Sequence, residues 1–219
     1  MPPLDAVLFD LDGTLTDPKP GICGCIAYAL VKLGHEAPHL DDLEWCIGPP
    51  LAGSFARLLA TEDATVLAQA MTHYRERFAD TGLFENRVYD GIPESLEKLR
   101  RRGLPLFVAT SKPHVFAKRI LDRFGLSQYF GGVYGSELDG TRTDKGEVIG
   151  HALASEGLIG KTVLMVGDRE HDVFGAQKCG IPCVGVTYGY GTEAELAAAG
   201  ACALSRSPED LADVVLAVR

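Results

Sequence analysis

The feature that most constrains the fold is the apolar run Ala6–Phe9, which ends abruptly at the polar segment Asp10-Leu11-Asp12-Gly13. A short run of this kind is typical of a strand that is buried on both faces of a sheet and closed by a tight turn. Such a strand cannot stand alone, because its unpaired backbone edges are unfavourable without neighbouring strands. The rest of the chain must therefore supply the sheet.

The partner strands are predicted after Asp90, where short apolar runs alternate with helical patterns. Strands are expected at Leu104–Ala109, around Val133, at Val163–Val166 and at Cys183–Val186. A final helix is expected to be capped by Ser207-Pro208. Strand and helix in turn indicate a parallel sheet covered on both faces. We predict an α/β fold with a Rossmann-like, doubly wound parallel sheet as its core.

A helical segment separates the first strand from the others. From Pro18 to about Asp80 the chain shows helical patterns at Ile22–Leu33, Leu51–Ala60 and Ala64–Phe78, and no convincing strand interrupts them. We therefore expect residues 1–16 and 90–219 to form the α/β core. Residues 17–89 are expected to form an inserted α-helical cap subdomain.

Composition narrows the class of partner. The 219-residue chain is 46% hydrophobic and carries a formal net charge of −9, which argues against a nucleic-acid backbone as partner. No apolar stretch approaches the roughly 20 residues that span a bilayer, and the start of the chain lacks a basic segment followed by an apolar one. We expect a cytoplasmic protein without membrane contact, as a monomer or homodimer.

Its six cysteines form no C-x-x-C pair and are expected to be reduced.

Four polar features lie at the carboxyl ends of predicted strands or just beyond them, and such ends share one edge of a parallel sheet. They are Asp10 with Asp12, Thr110 with Ser111, Lys145, and Asp168 with Asp172. Converging carboxylates would repel one another and raise one another's pKa, which a bound divalent cation relieves. Oxygen ligands combined with a phosphate group favour Mg²⁺ over zinc. Hydroxyl groups and a lysine beside them suit phosphate oxygens.

Together these motifs resemble the signature of the haloacid dehalogenase superfamily over nearly the whole chain. The signature is Asp-x-Asp-Gly-Thr, a hydroxyl residue after a second strand, a lysine, and Gly-Asp-x-x-x-Asp, in this order. The first motif has a second aspartate, Asp12. In this respect the sequence resembles family members that transfer phosphoryl groups, and not the members that cleave carbon–halogen bonds, which lack this aspartate.

The resemblance implies a role for each motif residue. Asp10 corresponds to the nucleophile and Asp12 to the general acid and then base. Thr110 and Lys145 correspond to the phosphate-binding positions, and Ser111 is a further phosphate-binding candidate through its own hydroxyl. Mg²⁺ would be held by Asp10, the backbone carbonyl of Asp12, and Asp168. Asp172 would orient the ligand shell.

The stretch Asp-Leu-Asp-Gly-Thr-Leu-Thr-Asp, with an insert of this size, is similar to bacterial phosphoglycolate phosphatases and nucleotidase-like members. This resemblance implies a small phosphate ester as substrate, either 2-phosphoglycolate-like or a nucleoside monophosphate. Gly48, Pro49 and Pro50 resemble a substrate-facing loop, although a rigid interhelical turn is an alternative. Arg75 is a further candidate, with an exposed helical position as its alternative. Thr143-Asp144-Lys145-Gly146 keeps the lysine but lacks a proline after it, which weakens transfer of an exact substrate.

Four other interpretations of these motifs differ from this one in specific features. A phosphomutase resembling β-phosphoglucomutase shares all four motifs and differs in the fate of the phosphoryl group. A phosphoacceptor switch would lack both the helical insert and the Asp-x-Asp-Gly-Thr pair, and a regulatory binding protein would be expected to lose a motif position. The segment Gly189–Ala194 fits G-x-G-x-x-A, but fewer than thirty residues follow it, too few for half of a dinucleotide-binding fold.

Overall fold

The protein is described by a computed structural model that covers residues 4–218. Its strands are β1 (Ala6–Phe9), β2 (Thr16–Asp17), β3 (Arg87–Val88), β4 (Leu106–Pro113), β5 (Gly132–Ser136), β6 (Val163–Gly167), β7 (Cys183–Val186) and β8 (Ala203–Ser205). Its α-helices are α1 (Lys19–Lys32), α2 (Leu51–Leu58), α3 (Ala64–Arg77), α4 (Ile92–Arg101), α5 (His114–Arg123), α6 (Lys145–Ser155), α7 (Glu170–Lys178), α8 (Glu193–Ala199) and α9 (Leu211–Ala217). Two 3₁₀ segments, Leu40–Cys46 and Ser127–Tyr129, and one π-helical turn, Phe78–Gly82, are also present.

A six-stranded parallel sheet forms the core, in the order β5-β4-β1-β6-β7-β8. Within it, Leu8 of β1 lies opposite Phe107 of β4 on one side and Met165 of β6 on the other. The fold prediction of an α/β protein with a doubly wound parallel sheet is confirmed. From β1 the sheet continues through β4, and from β6 it continues in the opposite direction through β7. Such a divergence leaves a crevice at the carboxyl ends of the two strands.

The central strand β1 is buried on both faces, as its uniformly apolar sequence predicts. Ala6 and Leu8 pack in a core cluster that includes Ile149 of α6 and Val173 of α7. Side chains alternate between the two faces of a strand, so Val7 and Phe9 point the other way. All four β1 residues have no exposed surface. This burial fixes the position of the polar residues that follow Phe9.

The chain divides into two compact units. The first contains the residues up to Asp17 and those from Val88 onwards, and the second is Pro18–Arg87. In the second unit Tyr74 stacks on Phe78 with a ring separation of 5.1 Å. Its function as a cap stays a prediction. In the part of the chain that the structure describes, no helix is both long and apolar enough to cross a bilayer.

Strand β4 and helix α9 differ from their predictions. Strand β4 does not end at Ala109 but continues to Pro113, with an irregular register against β5 between those residues. Helix α9 begins at Leu211 and is not capped by Ser207-Pro208. Instead, Ser207 forms a turn with Asp210, in which the backbone nitrogen of each residue donates to the side-chain oxygen of the other. A side chain that can cap a helix is used here to close the preceding turn.

Candidate active site

The first motif forms a tight loop at the carboxyl end of β1. The backbone nitrogen of Asp10 donates to the carbonyl of Val166 at 2.9 Å, so the residue continues the sheet. Gly13 then turns the chain with a φ of +81°, a conformation that favours glycine. A Cβ atom at this position would lie 2.2 Å from an oxygen of Asp168. The glycine therefore permits both the turn and the close approach of the two acidic segments.

Lys145 joins residues from three parts of the chain. As the first residue of α6, it places Nζ 2.8 Å from Oδ1 of Asp10 and 2.7 Å from Oδ1 of Asp172. The same nitrogen donates to the carbonyl of Ala109 in β4 at 3.1 Å. Its side chain is only 5% exposed, so these contacts act in a weakly screened environment. Lys145 thus fixes the orientation of the Asp10 carboxylate.

Three acidic side chains converge beside this lysine. Asp10, Asp168 and Asp172 are all buried, and each contributes a carboxylate oxygen to a group in which all these atoms lie within 4.8 Å of one another. Asp168 Oδ1 is buried without a hydrogen-bond partner among the residues that the structure describes. An unsatisfied buried carboxylate oxygen is costly unless a cation binds it. Hard oxygen donors in this number suit a divalent cation such as Mg²⁺.

The electrostatics of the cluster agree with a cation site. Burial, followed by the charges of Asp172 and Asp10, raises the pKa of Asp168 well above its usual range. Burial also raises the pKa of Asp172, which the neighbouring Lys145 partly opposes. Burial by itself would lower the pKa of Lys145, but the charges of Asp10 and Asp172 outweigh it and raise that pKa. Lys145 stays charged, and a further positive charge would stabilise the remaining carboxylates.

Asp172 lies closer to the centre of the site than the sequence implied. Its carboxylate is part of the three-residue group, and its Oδ2 also accepts from the backbone nitrogen of Arg169 at 3.1 Å. This bond and a backbone bond from the nitrogen of Asp172 to the carbonyl of Arg169 at 3.0 Å hold the start of α7. The side chain of Asp12 is not part of the group, and a contribution of its backbone carbonyl stays a prediction.

Lys112 is a site residue that the sequence reasoning missed. Its Nζ lies 2.8 Å from Asp12 Oδ2, and the two side chains are 7% and 11% exposed. Burial raises the pKa of Asp12, and Lys112 opposes that shift. A signal was available in the sequence, since Lys112 follows Thr110 by two residues in an extended segment. The predicted strand ended at Ala109, so the prediction left Lys112 outside the strand.

Thr110 and Ser111 lie within β4 at the same edge of the sheet. Thr110 is buried, and its hydroxyl accepts from the backbone nitrogen of Lys112 at 3.3 Å. The carbonyl of Ser111 accepts from the hydroxyl of Ser136 in β5 at 2.8 Å. These bonds hold the end of β4 beside the acidic residues, and phosphate binding by the two hydroxyls stays a prediction.

A second missed feature is the segment Tyr188–Gly191 after β7. The backbone nitrogen of Tyr190 donates to Asp168 Oδ2 at 2.8 Å. Gly189 and Gly191 belong to the G-x-G-x-x-A pattern of the sequence. In the structure these glycines allow the backbone to approach Asp168 closely. The pattern therefore had a physical reason other than cofactor binding.

The remaining predicted site residues belong to the second compact unit. Gly48 has a φ of +102°, and Pro50 directly precedes α2. Arg75 lies in the last turn of α3 and is exposed. A substrate-facing role for Gly48, Pro49, Pro50 and Arg75 stays a prediction.

Comparisons with known proteins identify the family of this chain. Residues 7–186 match the haloacid dehalogenase-like hydrolase family. The chain is 54% identical over 192 residues to a 5'-nucleotidase of Pseudomonas aeruginosa, covering 88% of this chain and 86% of that protein. It is 31% identical over 188 residues to a phosphoglycolate phosphatase of Yersinia pestis, covering 84% and 81%. The crystal structure of a predicted phosphatase from Clostridium acetobutylicum has a TM-score of 0.93 and 43% identity, covering 98% of this chain and 99% of that one.

The fold and the acidic site thus define a hydrolase of phosphoric monoesters. The chain belongs to the haloacid dehalogenase-like hydrolase family. The resemblance inferred from its motifs is confirmed, including the similarity to phosphoglycolate phosphatases.

Proposed function

We propose that the protein is a Mg²⁺-dependent phosphomonoesterase that hydrolyses a small organic phosphate through a phosphorylated Asp10. One observation carries this proposal: Lys145 holds Asp10 beside Asp172 while Asp168 Oδ1, in the same group, lacks a hydrogen-bond partner among the described residues. The arrangement supports a nucleophile next to a cation site. When bound there, Mg²⁺ would supply positive charge that offsets the charge of the transferring phosphoryl group.

In the first step, an oxygen of Asp10 forms a bond to phosphorus while the bond from phosphorus to the ester oxygen breaks. The electron pair of that bond leaves with the ester oxygen, which takes a proton from Asp12. Lys145 orients Asp10 and balances negative charge on the phosphoryl oxygens, to which Thr110 and Ser111 donate hydrogen bonds. The burial that raises the pKa of Asp12 favours the protonated form that this step needs.

In the second step, water attacks phosphorus and gives its proton to Asp12. The bond between phosphorus and the Asp10 oxygen breaks, and inorganic phosphate leaves. Asp12 therefore returns to the protonated state with which the cycle began. A phosphomutase would instead return the phosphoryl group to a sugar. The molecule that accepts the phosphoryl group from Asp10, water or a sugar, therefore distinguishes a phosphatase from a phosphomutase.

The substrate class is a small phosphate ester, and two candidates are favoured by relatives. The relative with 54% identity is named a 5'-nucleotidase, which makes a nucleoside 5'-monophosphate the first candidate. The relative with 31% identity is named a phosphoglycolate phosphatase, which makes 2-phosphoglycolate the second candidate. The sequence motifs alone favour 2-phosphoglycolate over a nucleoside monophosphate. We also propose that Pro18–Arg87 acts as the cap that selects between them, with Gly48, Pro49, Pro50 and Arg75 as the residues to test.

The test is a phosphate-release screen with nucleoside monophosphates, 2-phosphoglycolate and a hexose 1-phosphate, each with Mg²⁺ and with a chelator. We expect Mg²⁺-dependent release of free phosphate, which Asp10→Asn reduces by at least about 10³-fold while the protein stays folded. Asp122→Asn is the matched control, since Asp122 bonds Ser127 near the end of α5, and its activity should match the wild type. Retained turnover in Asp10→Asn would exclude Asp10 as nucleophile. An isomerised sugar phosphate as the sole product would instead support the mutase.

A further inference from the structure

The segment Tyr188–Gly191 contacts both acidic motifs within the α/β unit. It follows β7 and precedes α8, so it lies at the carboxyl edge of the sheet. Through its backbone nitrogen, Tyr190 holds Asp168 Oδ2 at 2.8 Å. The other oxygen of Asp168 is the buried one without a hydrogen-bond partner in the described part of the chain. The segment therefore determines which way the unsatisfied oxygen faces.

Glycines on either side of Tyr190 make this contact possible. A Cβ atom on Gly189 would lie 2.5 Å from Cβ of Asp168 and 2.3 Å from the carbonyl oxygen of Gly13. A Cβ atom on Gly191 would lie 1.9 Å from the carbonyl oxygen of Asp168. None of these three distances is compatible with a side chain, so the backbone of the segment packs directly on both acidic motifs.

The two tyrosine hydroxyls bind the polypeptide that follows the first motif. Tyr188 donates to the carbonyl of Thr14 at 3.1 Å. The Tyr190 hydroxyl donates to the carboxylate of Asp17, the residue at which the α/β unit ends before Pro18. A backbone carbonyl can only accept a hydrogen bond, and so can an ionised carboxylate. Both hydroxyls therefore act as donors.

We propose that Tyr190 is a positioning residue for the cation site: it fixes the distance between Asp168 and the loop that carries Asp10 and Asp12. Its backbone nitrogen holds one side of the site, and its hydroxyl holds the other side through Asp17. Residues outside the ligand set that orient a metal ligand affect affinity strongly, commonly by 10- to 100-fold. This inference rests on the proposed function and assigns to it a residue outside the group of three carboxylates.

The test measures binding of Mn²⁺, as a spectroscopic substitute for Mg²⁺, to the metal-free 219-residue chain. Free Mn²⁺ is followed by electron paramagnetic resonance in titrations of the wild type, Tyr190→Phe and Tyr134→Phe. Tyr134→Phe is a matched control, because the Tyr134 hydroxyl also bonds a carboxylate, that of Glu156, away from the acidic cluster. We expect Tyr190→Phe to raise the Mn²⁺ dissociation constant about tenfold and Tyr134→Phe to leave it within about twofold.

A second variant and a kinetic measurement separate positioning from a general loss of stability. Tyr188→Phe removes the bond to Thr14 and should weaken Mn²⁺ binding in the same direction by a smaller factor. In turnover assays Tyr190→Phe should raise the Mg²⁺ concentration for half activation about tenfold, while kcat at saturating Mg²⁺ stays within about threefold. If Tyr190 only stabilised the fold, its replacement would not raise the Mg²⁺ concentration for half activation while kcat at saturating Mg²⁺ stayed nearly constant.

Unchanged Mn²⁺ affinity in Tyr190→Phe, or an equal loss in Tyr134→Phe, overturns the positioning role. Neither outcome contradicts the proposed function, because phosphate release by the wild-type protein tests that function separately. If the wild type binds Mn²⁺ but releases no phosphate, the proposed hydrolysis fails and the positioning role is still decided by the titrations. If the wild type binds no Mn²⁺, both proposals fail.

Discussion

Lys112 and Asp12 form an ion pair in which Nζ and Oδ2 lie 2.8 Å apart and both side chains are almost fully buried. Lys145 makes the corresponding contacts with Asp10 and Asp172. Each aspartate of the first motif therefore has its own lysine. Because Lys112 contacts Asp12 while Lys145 contacts two members of the carboxylate group, replacing the two lysines should have separable effects.

Replacing Lys112 by methionine should impair chemistry rather than metal binding. The change removes the charge next to the proposed proton donor Asp12 and leaves Asp10, Asp168 and Asp172 in place. We expect kcat to fall about 10- to 100-fold while the Mn²⁺ dissociation constant stays within about twofold. Lys118→Met is the matched control, because Lys118 pairs with Asp122 at the exposed surface of α5. Normal turnover with weakened Mn²⁺ binding would contradict the assignment of Lys112 to Asp12.

Replacing Lys145 by methionine should destabilise the metal-free protein. Without the ammonium group, Asp10 and Asp172 remain buried beside Asp168 without their positive partner. Removing one member of a buried ion pair commonly costs about 3 kcal/mol or more, so we expect a loss of about 3 kcal/mol in urea unfolding. Saturating Mg²⁺ should restore part of this loss, because a cation replaces the missing charge. A loss no larger than that in Lys98→Met, where the lysine pairs with Asp213 at the surface, would argue against this electrostatic role.

The effect of Mg²⁺ on thermal stability should grow with pH. Burial and mutual repulsion raise the pKa of Asp168 and Asp172 above 3.8, their ordinary value, so the folded protein retains protons that the unfolded chain has released. A raised pKa in the folded state means that stability falls as pH rises through that pKa. Metal binding requires ionised carboxylates and therefore strengthens over the same range.

We accordingly expect the difference in Tm between Mg²⁺-loaded and chelator-treated protein to increase as the pH rises above 3.8, the ordinary pKa of these carboxyl groups. Differential scanning fluorimetry across this range provides the measurement. Asp168→Asn should reduce both the pH dependence of the metal-free protein and the shift caused by Mg²⁺. A Tm difference that is constant with pH would show that the cation does not bind at these carboxylates.

Asp144 should affect both stability and activity through the start of α6. Its side chain caps the helix by accepting from the backbone nitrogens of Gly146 and Glu147, next to Lys145. The hydrogen bond from Lys178 is the largest of the interactions that lower the pKa of Asp144. We expect Asp144→Ala to cost about 1 kcal/mol of unfolding free energy and to reduce kcat about threefold, because the position of Lys145 loosens.

The stabilising contribution of Asp144 should be present above about pH 4 and disappear as pH falls further, because its pKa is depressed in the folded state. Asp63→Ala is the matched control, since Asp63 caps α3 in the same way through Thr65 and Val66. It should lose comparable stability and keep its turnover. An equal fall in kcat in both variants would contradict a specific effect through Lys145.

Several features were readable from the sequence because their signals are local. The uniformly apolar run before Asp10 predicted a strand buried on both faces, and Ala6–Phe9 is one. The alternation of strand and helix predicted a parallel sheet, whose carboxyl edge brings Asp10, Asp168 and Asp172 together. The end of β4 and the start of α9 were less accessible, since they depend on pairing with β5 and on a turn closed by Asp210.

What the sequence determined by itself was the set of elements and the family of acidic motifs, because backbone periodicity and turn chemistry act between near neighbours. Only the tertiary structure decided which lysine forms an ion pair with which carboxylate. It alone also decided that Tyr190 forms hydrogen bonds with both Asp17 and Asp168. Tyr190 and Asp17 are 173 positions apart in the chain. They meet because the sheet order brings the segments after β1, β6 and β7 to one edge, and no local pattern specifies that order.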